Sequence, residues 1–236
     1  MLPLRDNVPT RSFPVVTIGL IAANVIVWLW EITGTTVNED VIHYGYYPCD
    51  LHGPCVGPDA PLRKLDWAES AFTSMFMHGS WIHIGGNMLF LWIFGNNVED
   101  ALGRVRFFLW YVLGGLAATA VQTYVTLQFT DARDASIPNI GASGAIAAVL
   151  GAYFLLLPRA KVLTGFLLGF FIFFREIPAI WFLGVWFVFQ LWEGGFSVLH
   201  PQLGGGVAFF AHIGGFVFGI LTVYLVAQRR PLRPTY

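Results

Sequence analysis

Residues 209–219 read FFAHIGGFVFG, one histidine and three glycines set in an apolar run that extends over about 206–226. A run of that length is what a helix needs to cross a bilayer of about 30 Å. Working outward, similar runs occupy about 15–30, 81–94, 107–127, 142–157 and 178–191. The 236 residues are 56% hydrophobic and 11% charged, against roughly 25% charged in an ordinary soluble domain, so no normal water-facing surface can be built. A net charge of -1 gives no basic excess for nucleic acid. The partner implied is the lipid bilayer. We therefore expect an all-α, polytopic membrane protein, a bundle of six transmembrane helices forming a single domain over 1–236, with a long outer loop at about 32–77.

The run Val162–Phe174 contains Thr164, Gly165 and Gly169 and reaches only about 20 Å as a helix, so it reads as interfacial or re-entrant. Six spans also satisfy the positive-inside rule. Arg5, Arg11, Arg104, Arg106, Arg159, Lys161, Arg175, Arg229, Arg230 and Arg233 fall on one side, with Arg63, Lys64 and Arg133 on the other. The first segment is polar and Pro-rich and lacks a cleavage pattern, which argues against a signal peptide. The expectation is a multi-pass protein of a bacterial cell membrane with both termini cytoplasmic.

Polar side chains at membrane depth are costly and mark function by default. Span two opens with HGSWIHIGGN (78–87), span four with GASG (141–144) and span six with AHIGG (211–215). Alternate spans run the same way, so these three openings share one depth. His83 and Asn87, four apart, lie on one face of their helix. Ser143 is then a nucleophile that needs a base, and His212 is the base within reach. Asn87, His83 and the Ser143 backbone N–H can supply donors to a developing oxyanion. Gly141 and Gly144 let the chain turn tightly around the serine, while Gly215 and Gly219 form a small-residue ridge for close helix packing. No carboxylate is spaced to complete a triad, so a Ser–His dyad is expected. That chemistry asks for no metal and no cofactor.

Taken together, HGSWIHIGGN, GASGA and AHIGGFVFG across six spans resemble the rhomboid family of intramembrane serine proteases, over about Ser70 to Ala227. The resemblance implies a six-helix bundle with a short fourth helix, and a serine endopeptidase (a hydrolase) that cleaves transmembrane protein substrates near the outer membrane face. It implies Ser143 as nucleophile, His212 as base, Asn87 and His83 as oxyanion donors, and His78 as an organiser of the preceding connection. Three departures stand out: LDWAESAF (65–72) lacks the family's Trp-Arg, Ala101 stands where an Arg often follows Glu99, and Ala147 stands where an aromatic ring often stacks on the histidine.

Rival classes fit less well. A zinc protease would carry H-E-x-x-H, which is absent from the sequence. A transporter would show paired halves, and a non-catalytic client-binding protein would have no need of the four polar groups. Cys49 and Cys55, near His43 and His52, are open to three readings: a disulfide, a zinc site or free thiols. A hinged lid is expected at Leu203–Gly206 with the end of span five.

Overall fold

The computed structural model describes residues 1–34, 36–57, 62, 64–199 and 207–228. The chain opens with strand β1 (Leu2–Asp6) and then enters helix α1 (Val15–Thr33) directly after Pro14, which leaves the first turn with no cap of its own. Glu99 supplies one from far along the chain: its carboxylate accepts from the N–H of Val16 (3.1 Å) and Thr17 (2.7 Å) and from the Thr17 hydroxyl (2.8 Å). The adjoining Asp100 accepts from the N–H of Arg11 and pairs with its guanidinium at 3.6 Å. Glu99 and Asp100 thus clamp the entry to α1, while Ala101 beside them is fully buried.

The connection that follows is built of short pieces. Helix α2 (Val37–Tyr44) is capped by the Thr36 hydroxyl and α3 (Trp67–Thr73) by the Asp66 carboxylate, with 3-10 turns at Pro48–Asp50 and Ser74–Phe76. Cys49 and Cys55 are joined as a disulfide, which decides among the three readings of those residues.

Helix α4 (Trp81–Phe90), capped by Ser80, passes through a π turn at Leu91–Gly95 into α5 (Asn96–Leu102), so the expected span 81–94 is part of a longer rod. Next come α6 (Arg104–Phe129) and α7 (Ser143–Leu156). Helix α7 is the core of the molecule, buried from Gly144 to Tyr153 and packed against α6 and against the last helix. Its sequence, SGAIAAVLGAY, explains this: small side chains on every face admit a neighbour on every side.

After α7 the chain turns into two strands, β2 (Lys161–Leu168) and β3 (Phe171–Pro178), which pair antiparallel, with β1 added outside β2 in the order β1-β2-β3. This corrects two expectations: the fold is not all-α, and Val162–Phe174 is a hairpin rather than an interfacial or re-entrant segment. Gly169, at φ +61°, forms the two-residue turn that a hairpin requires. The apolar run is also too short for a spanning helix and rich in residues that favour strands. Helices α8 (Ala179–Leu199) and α9 (Phe209–Val226) complete the chain. The fifth run thus continues to Leu199 rather than ending at 191, and the start expected at 206 lies outside the described residues.

Among the described residues four helices, α1, α6, α8 and α9, are long and apolar enough to cross a membrane, and α7 is a shorter apolar helix of about 21 Å. The protein is therefore a mostly helical membrane protein with a small sheet at one end of the bundle.

Candidate active site

Helices α7 and α9 meet backbone to backbone. A Cβ at Gly215 would fall on the Gly144 carbonyl oxygen, and one at Gly219 on that of Ala148. This contact brings the first turns of the two helices together. The Ser143 hydroxyl donates to His212 Nε2 at 2.8 Å. The other ring nitrogen, Nδ1, lies 2.7 Å from Gln190 Oε1 on α8. Gln190 is buried, and its amide NH2 faces the Trp186 carbonyl at 3.5 Å, which turns the amide oxygen toward the histidine. The partners thus assign the tautomer: Nδ1–H donates to Gln190, and Nε2 is left free to accept the serine proton.

A second amide holds the turn that carries His212. The α9 entry has no side-chain cap of its own, and Gln122 of α6 accepts from the Ala211 N–H at 3.1 Å. Neither Gln190 nor Gln122 was singled out from the sequence, because neither sits in a recognisable pattern. The signal available was the cost of an amide in an apolar span.

The ring expected beside the histidine comes from a different helix. Ala147 is fully buried at the α7–α9 contact, 3.1 Å from where a Gly215 Cβ would stand, so no aromatic side chain fits there. Trp186 of α8 takes that place, its ring centroid 5.9 Å from that of His212.

Opposite the serine, α4 contributes His83 and Asn87. Gly141 turns the chain in front of them at φ +115°, and a Cβ there would lie 2.7 Å from His83 Nε2, so glycine is required by conformation and by space. The Gly141 N–H donates to the Ser74 carbonyl at 2.8 Å, tying this turn to the segment before α4. His83 Nδ1 accepts from the Gly79 N–H at 3.4 Å, which leaves Nε2–H as a donor on the Gly141 side.

His78 is fully buried. Its backbone N–H donates to the Glu31 carboxylate at 3.3 Å, and its Nδ1 faces the Phe76 carbonyl at 3.2 Å. Its Nε2 then accepts from Asn87 Nδ2 at 3.0 Å and sets the direction of that amide. Burial, with the His83 ring beside it, pushes the His78 imidazole down to about 4.

Ser143, His212, His83 and Asn87 all line one cavity of about 630 Å³. Helix α7 begins at Ser143 with Ala142 as its N-cap and no side-chain cap, so its first N–H groups, the positive end of the helix dipole, lie at the Ser143 side chain. Gly144 sits behind the serine against Ala118 and Ala211. The disulfide occupies both sulfurs of Cys49 and Cys55, in the loop before α3, and neither residue lines this cavity. The lid expected at 203–206 lies outside the described residues.

Residues 67–229 match the model of the Rhomboid domain, and the chain belongs to the rhomboid family. It is 31% identical over 174 residues to Rhomboid protein 1, mitochondrial, of Saccharomyces cerevisiae, covering 71% of this chain and 45% of that one. It is 29% identical over 150 residues to the human Presenilin-associated rhomboid-like protein, mitochondrial, covering 63% and 35%. With Rhomboid-like protein 11, chloroplastic, of Arabidopsis thaliana it is 28% identical over 164 residues, covering 66% and 51%. The chain thus spans about half the length of these relatives or less. Their names point to the membranes of eukaryotic organelles and overturn the expectation of a bacterial cell membrane with cytoplasmic termini. The physical reason is simple: the arginine asymmetry reports which side of a membrane a loop occupies and carries no information about which membrane it is.

Proposed function

We propose that the chain is an intramembrane serine endopeptidase that cleaves transmembrane protein substrates near one membrane face by a Ser143–His212 dyad. Membership of the rhomboid family supports intramembrane proteolysis in general. The observation that carries the specific reading is the 2.8 Å approach of the Ser143 hydroxyl to His212 Nε2, inside a cavity that also holds Asn87 and His83.

In this reading His212 takes the Ser143 proton as Oγ attacks the scissile carbonyl carbon. The new oxyanion is met by the Ser143 N–H, the Asn87 amide and His83 Nε2–H, fixed donors that need no rearrangement as charge develops. The imidazolium then returns its proton to the leaving nitrogen, and the resulting ester is hydrolysed by a water that the same histidine deprotonates. Gln190 acts as a positioning residue, holding the tautomer on which the first proton transfer depends. No step calls on a metal, a nucleotide or a nucleic acid.

The same reading takes the α4–α5 rod and α7 as membrane spans alongside the four longer helices. That gives six spans in one domain over 1–236, with 32–77 as a long loop on the side of the site. Labelling with a fluorophosphonate in detergent tests the chemistry. Label is expected on the wild-type protein, with none on Ser143→Ala and a strong loss on His212→Ala. Equal labelling of wild type and Ser143→Ala would overturn the assignment.

A further inference from the structure

The hairpin β2–β3 carries its apolar side chains on both faces. Strand β1 pairs with β2 only from Val162 to Gly165, so the portion from Phe166 to Phe173 projects beyond the sheet by about 13 Å, with Phe174 at its root opposite Gly165. Phe166 and Phe173 stack across it, centroids 5.1 Å apart and planes 9° apart, on the face that also carries Phe171. Leu167, Ile172 and Phe174 lie on the other face. Phe170 at the tip is fully exposed, Phe171 is 79% exposed, Leu167 74% and Ile172 66%. A sheet with one wet face alternates apolar and polar side chains, and this one does not. Water is therefore the wrong neighbour for it.

Arg159, Lys161 and Arg175 stand at its base, with Glu176 paired to Lys161 at 3.5 Å; on the neighbouring β1, Arg5 lies opposite Leu163, and the Asp6 carboxylate opposite Val162 is taken up by Tyr153 and Asn97. The hairpin leaves the bundle from the end of α7 opposite Ser143 and returns directly into α8, whose first turn exposes Ile180 and Trp181. Its apolar surface is thus continuous with that of a helix apolar enough to cross a membrane. Depth follows from the backbone: β3 and the projecting part of β2 have open edges, and unpaired N–H and C=O groups are not tolerated in hydrocarbon. Aromatic side chains with a cationic base and a wet backbone suit one location, the boundary between headgroups and acyl chains.

We propose that Phe166–Phe174 is a wedge in the membrane interface, on the leaflet opposite the Ser143 site. Its aromatic tip enters the acyl boundary, and Arg159, Lys161 and Arg175 meet anionic lipid phosphates. The inference rests on α7 and α8 crossing the membrane and is independent of any chemistry at Ser143.

The test uses the full chain with Phe170→Cys, a position whose side chain touches nothing and which is labelled selectively because Cys49 and Cys55 are bridged. An environment-sensitive NBD dye is attached and the protein is reconstituted in phosphatidylcholine vesicles with and without phosphatidylglycerol. We expect blue-shifted emission and several-fold stronger quenching by a lipid carrying a nitroxide near its carbonyl than by aqueous iodide. Native mass spectrometry of Arg159→Gln/Arg175→Gln is expected to lose retained phosphatidylglycerol. Strong iodide quenching would place the tip in water and overturn the wedge. Quenching by neither reagent would mean that protein covers the hairpin, a second copy or a partner, and would overturn it equally. Both measurements are repeated on Ser143→Ala, and the same result there separates this inference from the fate of the proteolytic reading.

Discussion

Gly215 of α9 lies against the carbonyl oxygen of Gly144 in α7, one residue beyond Ser143 and three beyond His212. The contact leaves no room for a methyl group, so the serine–histidine distance depends on a glycine that takes no part in chemistry. Gly215→Ala should force the two helices apart at an overpacking cost of about 1–3 kcal/mol. Fluorophosphonate labelling should fall by tenfold or more while the variant still extracts as folded protein. Unchanged labelling would show that the helices adjust without separating the dyad.

Gln190 gives a sharper test of positioning. Removing the acceptor for the His212 Nδ1–H with Gln190→Leu should lower kcat by about 10- to 100-fold, the value of one hydrogen bond to a group that becomes charged. KM should stay near its wild-type value. Gln190→Glu, which keeps an acceptor at that place, should restore most of the rate. If both variants lost activity equally, together with thermal stability, Gln190 would be a packing residue.

Asn87 is held by His78 and faces the cavity with His83. Loss of one oxyanion donor costs on the order of a hundredfold in turnover. Asn87→Ala should show that loss in kcat, measured on a model transmembrane substrate, with little change in KM. A change confined to KM would move Asn87 from the reaction to substrate binding.

His78 makes acid stability measurable. Its ordinary value is 6.5, and the folded protein holds it near 4, so the unfolded chain takes up this proton first as pH falls. The stability that His78 contributes should be lost as pH drops from 6.5 to about 4, and protonation near 4 would also remove the acceptor for Asn87. The difference in thermal midpoint between the wild type and His78→Gln in detergent isolates that contribution from the Glu31 carboxylate beside it. His78→Gln, which does not titrate, should be less steep over the same window.

How much of this was legible in the sequence depended on whether a side chain's meaning was local. Ser143, His212, His83 and Asn87 could be read together because each opens an apolar run, and the expectation that alternate runs share a direction translated position in the chain into depth. Cys49 and Cys55 had several local explanations, and only their approach decided among them. Gln190 was not legible, since it lies near the middle of α8 with no pattern around it, and its role exists only through His212 on another helix. The substitution of Trp186 for the ring missing at Ala147 is of the same kind: the vacancy could be read, the replacement could not. The hairpin failed for a different reason. Periodicity identifies a strand by the contrast between its two faces, and Phe166–Phe174 has none, so an apolar run with no face of its own looks like an interrupted helix.

The strand β1 has a consequence for the order in which the chain is built. Asp6 accepts from the Tyr153 hydroxyl at 2.5 Å and from Asn97 Nδ2 at 2.8 Å, and its strand pairs with residues 162–165. Those partners lie some 90 to 160 positions later, so β1 cannot complete its pairing until the hairpin is in place. Strand β1 therefore stays without its sheet partner until the chain beyond α7 has formed β2.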